Sequence, residues 1–207
     1  MLRIIFTLLL LTYSAITLAS AETSNKFDVI QLYTQDELNV LIRNNKHLQR
    51  VKTDECQLVE DIKAHSLKVK EPTYTFLWGD MLAWGVCVDR DVKLGMFYIN
   101  QSAKQGLLPA IEQLGRYYEH GTFVQKNKNK ALVYYREAAL QGFIKAQLHY
   151  VDLLLAGYGS PLDYQDAYHA LFSSIIADKK THQKAQGLLS RLAKKMPDYI
   201  LQQARKK

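Results

Sequence analysis

The chain is expected to fold as an all-α solenoid, a stack of antiparallel helix pairs. Three observations predict this. First, a shift of 36 residues superposes like on like: Gly79 on Gly115, Tyr98 on Tyr134, Ala103 on Ala139, Gly106 on Gly142 and Ala110 on Ala146. Gly85 meets Gly121 and then Gly157, and Gly95 meets Ala131 and Ala167. A fixed period of this size marks a repeat architecture. Second, the same shift aligns Asp91, Asn127 and Asp163. These residue types cap helix N-termini through a side-chain oxygen. Third, Gly and Pro number only 10 and 4, too few for the tight turns of an all-β sandwich.

Residues 1–21 read as a signal peptide. Arg3 gives the positive start, residues 4–18 are mostly apolar, and Ala19-Ser20-Ala21 is a small-x-small cleavage pattern. Cleavage is expected between Ala21 and Glu22. The apolar run is short of the ~20 residues that a membrane span needs, which disfavours an uncleaved anchor. No later segment is long and apolar enough to cross a bilayer, so the mature chain is expected to be exported and soluble.

Residues 22–74 form an N-terminal segment. Residues 34–47 and 56–69 fall where an earlier, degenerate helix pair would lie. The solenoid proper covers 75–180. In its middle unit, Leu114, Tyr117 and Tyr118 make a helical stripe that stops near Gly121. Asn127 then caps a second helix with Ala131, Tyr134, Tyr135, Ala138 and Ala139 on its apolar side, and Gly142 ends it. Small residues such as Gly115 and Ala139 allow close helix approach, and the recurring tyrosines are expected in the core. Residues 181–207 are expected to cap the array, with a first helix over 183–195 and a short closing helix after Pro197. Repeat arrays need atypical ends because the outermost units face water.

The composition is that of an ordinary globular protein, 48% hydrophobic and 23% charged. It excludes a disordered chain, a collagen-like fibre and a multi-span membrane protein. Net charge is +7, from 27 Lys and Arg against 20 Asp and Glu, and loss of Arg3 with the signal leaves +6. Lys126, Lys128 and Lys130 crowd one turn, and Arg205-Lys206-Lys207 ends the chain. These read as solvated surface, with steering toward an acidic partner or anionic envelope surface as the functional alternative.

Cys56 and Cys87 are the two cysteines. In a stack of antiparallel pairs, each second helix starts at the end where each first helix stops. Cys56 lies near the start of the second helix of the degenerate pair, and Cys87 follows the first helix of the next. Both therefore sit at one end of neighbouring units. An exported protein meets an oxidising compartment, so a bridge is expected, worth about 3–4 kcal/mol by loop closure. Two buried free thiols are the alternative.

No motif for catalysis appears. None of the six histidines is paired at i, i+4 as in a zinc site, and there is neither a Gly-x-Ser-x-Gly elbow nor a phosphate loop. Adjacent carboxylates such as Asp36-Glu37 and Glu60-Asp61 point in different directions on a helix and make no acid/base dyad. No enzyme activity, metal or cofactor is expected. Trp84 aligns with His120, outside the repeat core. It is placed either at a partner surface or against the disulfide.

The Gly and Ala columns over about 75–177 resemble the Sel1-like repeat, which builds superhelices of helix pairs from units of this length. The related tetratricopeptide repeat has a period of 34. A second resemblance rests on other residues: Gln31-Leu32-Tyr33-Thr34-Gln35-Asp36-Glu37-Leu38, residues 46–51 and 54–61, residues 79–88 and residues 159–164. Together these are similar to the MotX family, periplasmic components of the sodium-driven polar flagellar motor. The resemblance implies a non-enzymatic scaffold at the flagellar basal body. It would join a MotY-like protein in the T ring and help to hold the stator, whose B subunit reaches into the periplasm. A generic exported adaptor unrelated to motility is the alternative. Residues 31–50 carry much of this resemblance outside the clear repeats, so Lys46 and Arg50, with Trp84, are the candidate partner contacts.

Overall fold

A computed structural model describes residues 33–206, and every regular element among them is helical. The proposed signal segment and its Ala21–Glu22 junction lie outside the described residues. The helices are α1 (Gln35–Arg43), α2 (His47–Thr53), α3 (Val59–Ala64), α4 (Pro72–Trp84), α5 (Val92–Lys104), α6 (Leu108–His120), α7 (Lys128–Leu140), α8 (Ile144–Leu155), α9 (Tyr164–Phe172), α10 (Lys179–Ala193) and α11 (Asp198–Lys206). A π-helical turn, His65–Val69, extends α3, and a 3-10 turn, Pro161–Asp163, precedes α9.

The 36-residue period is written into the backbone. The amide of Asp91 donates to the Leu82 carbonyl at 2.9 Å, and that of Asn127 to Tyr118 at 2.7 Å. Val86, Thr122 and Tyr158 donate to Met81, Tyr117 and Leu153 in the same way. Gly85, Gly121 and Gly157 all have φ between 67° and 89°, the left-handed conformation that ends a helix without a Cβ penalty. Two residues on, Cys87, Phe123 and Gly159 share positive φ as well. Each turn between a first and a second helix is thus the same pair of left-handed residues.

Pairs α4/α5, α6/α7 and α8/α9 build the stack. Asp91 and Asn127 cap α5 and α7 by accepting from Leu94 and Lys130, each at 2.9 Å. The third member of that column behaves differently. Ser160 caps the 3-10 turn, and Asp163 accepts from the Ser160 amide at 3.1 Å. Pro161, in the column of Asp89 and Gln125, opens a 3-10 turn, so the cap falls three residues earlier, at Ser160. Close approach is tightest between α4 and α5: a Cβ on Gly95 would lie 2.5 Å from the Ala83 nitrogen. Gly115 makes room for the Tyr135 ring in the next pair.

The tyrosine column divides. Tyr117 and Tyr135 are fully buried, whereas Tyr98, Tyr118 and Tyr134 are partly exposed. Tyr118 and Tyr134 stack on each other with centroids 5.6 Å apart, and the Lys130 ammonium lies 4.2 Å above Tyr118. Successive tyrosines on a helix diverge by 100°, so only one of each neighbouring pair can enter the core.

Both ends depart from a simple helix pair. The N-terminal segment is three short helices, because Asn45, and then Glu55 and Cys56, adopt positive φ and break the chain twice. The helix expected over 34–47 stops at Arg43, and α2 is an additional element. At the other end Asp178 caps α10 by accepting from Thr181 at 2.7 Å, so that helix starts before residue 183. The closing helix follows Pro197 and folds back onto α9, where His169 Nδ1 lies 3.0 Å from the Ala204 carbonyl.

Candidate partner surface

Helix α4 is apolar almost all round, and residues 73–83 are all buried. One of them is Asp80, only 2% exposed. Its carboxylate is met from two sides: His47 Nε2–H donates to Oδ2 at 2.7 Å, and the Tyr117 hydroxyl donates to Oδ1 at 2.7 Å. Trp84 Nε1–H in turn donates to the Tyr117 oxygen at 3.1 Å. Burial, then the Asp80 charge and its hydrogen bond, push the Tyr117 phenol far above its ordinary range, so it stays a donor. A buried charge is tolerated where it is fully hydrogen-bonded. This relay ties α2 to α4 and α6, and ends at a surface tryptophan.

Trp84 is 48% exposed. Its ring meets Phe123 edge-on at 4.7 Å, and Phe123 meets Tyr117 at 5.1 Å. Its contacts run to the next repeat's turn, at the left-handed position that Cys87 holds one repeat earlier. Cys56 and Cys87 are joined, with Cα atoms 5.5 Å apart. The bridge links the turn before α3 to the turn after α4.

Arg50 is committed internally. Its Nε donates to both oxygens of Asp54, at 3.1 and 2.8 Å, and its Nη1 to Glu37 at 2.9 Å. The Tyr33 hydroxyl also donates to Asp54, at 2.6 Å, and the guanidinium lies 5.5 Å over the Tyr33 ring. The Tyr33 and Arg50 donors hold the Asp54 carboxyl below its usual range. Arg50 thus fastens α1 to α2 and has less freedom to serve a partner than its sequence position suggested. Lys46, at the start of α2, is exposed. An open cavity of about 450 Å³ lies beside the fork, lined by Tyr33, Arg50, Asp54 and Gln57 among others.

The N-terminal segment reaches across the first helices. Arg116 of α6 donates to the Asn45 side chain at 3.0 Å, and Lys145 of α8 donates to the Arg43 carbonyl. Beneath this contact Glu112 pairs with Arg116 at 3.1 Å, and His149 stacks on Tyr135 at 4.8 Å. Tyr135 donates to Glu119 at 2.7 Å. Burial raises the Glu112 carboxyl and lowers the His149 imidazole from their ordinary values. His47, Asp80, Glu112 and His149 carried no sequence signal that singled them out. The one available clue was a lone aspartate within the apolar run of α4.

Residues 75–107 and 108–143 match the family model of the Sel1 repeat. The match stops before α8, where Val151 replaces the glycine of Gly79 and Gly115. Among solved structures the chain is similar to a protective antigen of uropathogenic Escherichia coli with an SLR fold. The TM-score is 0.54 at 21% identity, over 70% of this chain and 30% of that one. It is also similar to a Sel1 repeat protein of Oxalobacter formigenes, with TM-score 0.51 and 21% identity over 76% of this chain and 58% of that one. These likenesses concern the fold. The molecule is thus a Sel1-repeat solenoid whose own N-terminal helices are clamped across its first helices. The whole chain is 48% identical over 206 residues to the sodium-type polar flagellar protein MotX of Vibrio parahaemolyticus, covering 97% of that relative. It belongs to the MotX family.

Proposed function

We propose that the chain is a non-enzymatic scaffold of the sodium-driven polar flagellar motor. It works in the periplasm at the basal body, forms the T ring with a MotY-like partner, and is needed to incorporate the stator. The observation that carries this reading is the 48% identity to a sodium-type polar flagellar protein, which runs through the N-terminal segment as well as the repeats. Those N-terminal helices are joined to each other by the Arg50 fork and to the solenoid by the Asp80 relay, so they share a surface with it. A Cys56–Cys87 bridge suits an oxidising compartment. Lys46 and Trp84 are the exposed side chains we assign to partner contact, while Arg50 is engaged by Asp54 and Glu37.

Basal-body isolation tests the assignment. An epitope-tagged chain should co-purify with hook–basal bodies together with a MotY-like protein. Recovery only in the soluble periplasmic fraction, under conditions that preserve the rings, would contradict it.

A further inference from the structure

The basic excess of the chain is concentrated at its end. Residues 179–207 hold nine Lys and Arg and one acid, Asp198, whereas residues 1–178 hold 18 basic and 19 acidic side chains. Within α10, Lys180, Lys184, Gly187 and Arg191 recur at spacings of four, three and four, and Lys195 follows four residues on. Such spacing puts the four helical residues on one face, and Lys195 lies in the turn just beyond the helix. The buried face is a different one, made by Ala185, Leu188, Leu189 and Leu192. The stripe from Lys180 to Arg191 is about 16 Å long at the helical rise. A Cβ at Gly187 would meet nothing within 4 Å, so its centre is open to close approach.

This face already accepts a carboxylate. Asp152 of α8 lies 3.5 Å from the Lys184 ammonium and 4.0 Å from the Arg191 guanidinium. Upstream, cations on the first helices also find acids on their own or the neighbouring first helix: Arg116 has Glu112, and Lys145 feels the Glu112 charge. Among the described residues the helix after α10 is α11, which turns back to α9, where Arg205 donates to the Tyr168 hydroxyl at 3.3 Å. Among the described residues, Lys180 and Lys195 have no acidic partner within 4.0 Å.

We propose that this face of α10 is the docking site for an acidic segment of a partner protein. The partner supplies carboxylates to Lys180 and Lys195, with which Asp152 of the preceding first helix forms no ion pair. A membrane fits less well. A helix lying on lipid inserts its apolar face, and the apolar face of α10 is buried in the stack. The residues flanking the stripe, Gln183, Gln186 and Ser190, are polar. The surface is separate from Lys46 and Trp84 and does not depend on the motor reading.

The test uses the purified full mature chain and a labelled oligoglutamate peptide of about twelve residues, long enough to follow the stripe. Binding is read by fluorescence anisotropy at low salt, where exposed charges are least screened. The double variant Lys180→Glu/Lys195→Glu should weaken it at least about tenfold. The control Lys93→Glu/Lys104→Glu changes net charge equally on an exposed surface elsewhere and should shift affinity less than about twofold. Equal losses in the two variants would mean attraction to net charge alone and would overturn the site. No binding by the wild-type chain would overturn it too. Stripe-dependent binding to phosphatidylglycerol vesicles without binding to the peptide would assign the face to lipid and reject the acidic protein segment.

Discussion

His47 Nε2 and Asp80 Oδ2 meet at 2.7 Å, both nearly sealed from water, 33 residues apart in the chain. This contact joins the N-terminal helices to the first helix of the stack. Asp80→Ala would leave His47 and the Tyr117 hydroxyl buried without their shared acceptor. Leaving buried polar groups without a partner costs about 1–3 kcal/mol each. Urea unfolding should register that loss, with a smaller one for Asp80→Asn, which keeps an acceptor oxygen. An Asp80→Ala variant as stable as the wild type would show that the relay does not hold the segment.

Lys46 and Arg50 are one helical turn apart, yet they should respond differently to charge reversal. Arg50→Glu places a carboxylate among Glu37 and Asp54. It should lower stability by about 1 kcal/mol, modest because the fork is partly exposed and screened. Lys46→Glu should leave thermal unfolding unchanged while weakening capture of a MotY-like partner. Pull-down and circular dichroism on the same two variants separate the effects. If Lys46→Glu binds as the wild type does, the partner contact lies elsewhere.

Two glycine-to-alanine substitutions should have opposite signs. A Cβ on Gly95 would press on the α4 backbone at 2.5 Å, so Gly95→Ala should force α4 and α5 apart at about 1–3 kcal/mol. Gly187 lies mid-helix in open space, so Gly187→Ala should stabilise by about 0.5–1 kcal/mol. Differential scanning calorimetry should show one midpoint fall and the other rise.

His149 predicts a pH dependence. Burial holds its folded pKa below the ordinary 6.5, against the opposing pull of Glu119. The unfolded chain therefore binds a proton at a pH where the folded one does not. Its contribution to stability is present above pH 6.5 and is lost as pH falls through the folded value. His149→Phe keeps a ring against Tyr135 and removes the titration. The melting temperature of the wild type should fall more steeply than that of the variant on acidification below 6.5. Parallel curves would refute the assignment.

The repeat was legible where chemistry recurs with position. Gly85, Gly121 and Gly157 share a residue type because they share a left-handed turn. Cys87, Phe123 and Gly159 share the same turn conformation, but three unlike residues hide it from any sequence alignment of the repeats. The cysteine pairing followed from the antiparallel geometry, since both residues fall at one end of adjacent units. The Asp80 relay was invisible because His47, 33 residues before Asp80, lies outside the repeats, and Tyr117, 37 residues after it, falls off the 36-residue register. Helix α2 was missed for a local reason: three non-glycine residues with positive φ, Asn45 on one side and Glu55 and Cys56 on the other, bracket it without the usual glycine signal. Arg50 looked like a free cation because Glu37 reaches it only once α1 folds against α2, and its i,i+4 partner Asp54 shows only once α2 itself is recognised.

We propose that this solenoid acts by assembly at the polar flagellar motor, and deletion of its gene in a strain without a paralogue is the decisive measurement. The deletion strain should still build polar filaments visible by electron microscopy but should not swim, with rotation restored by the wild-type chain in trans. Normal swimming speed in the deletion strain would contradict it.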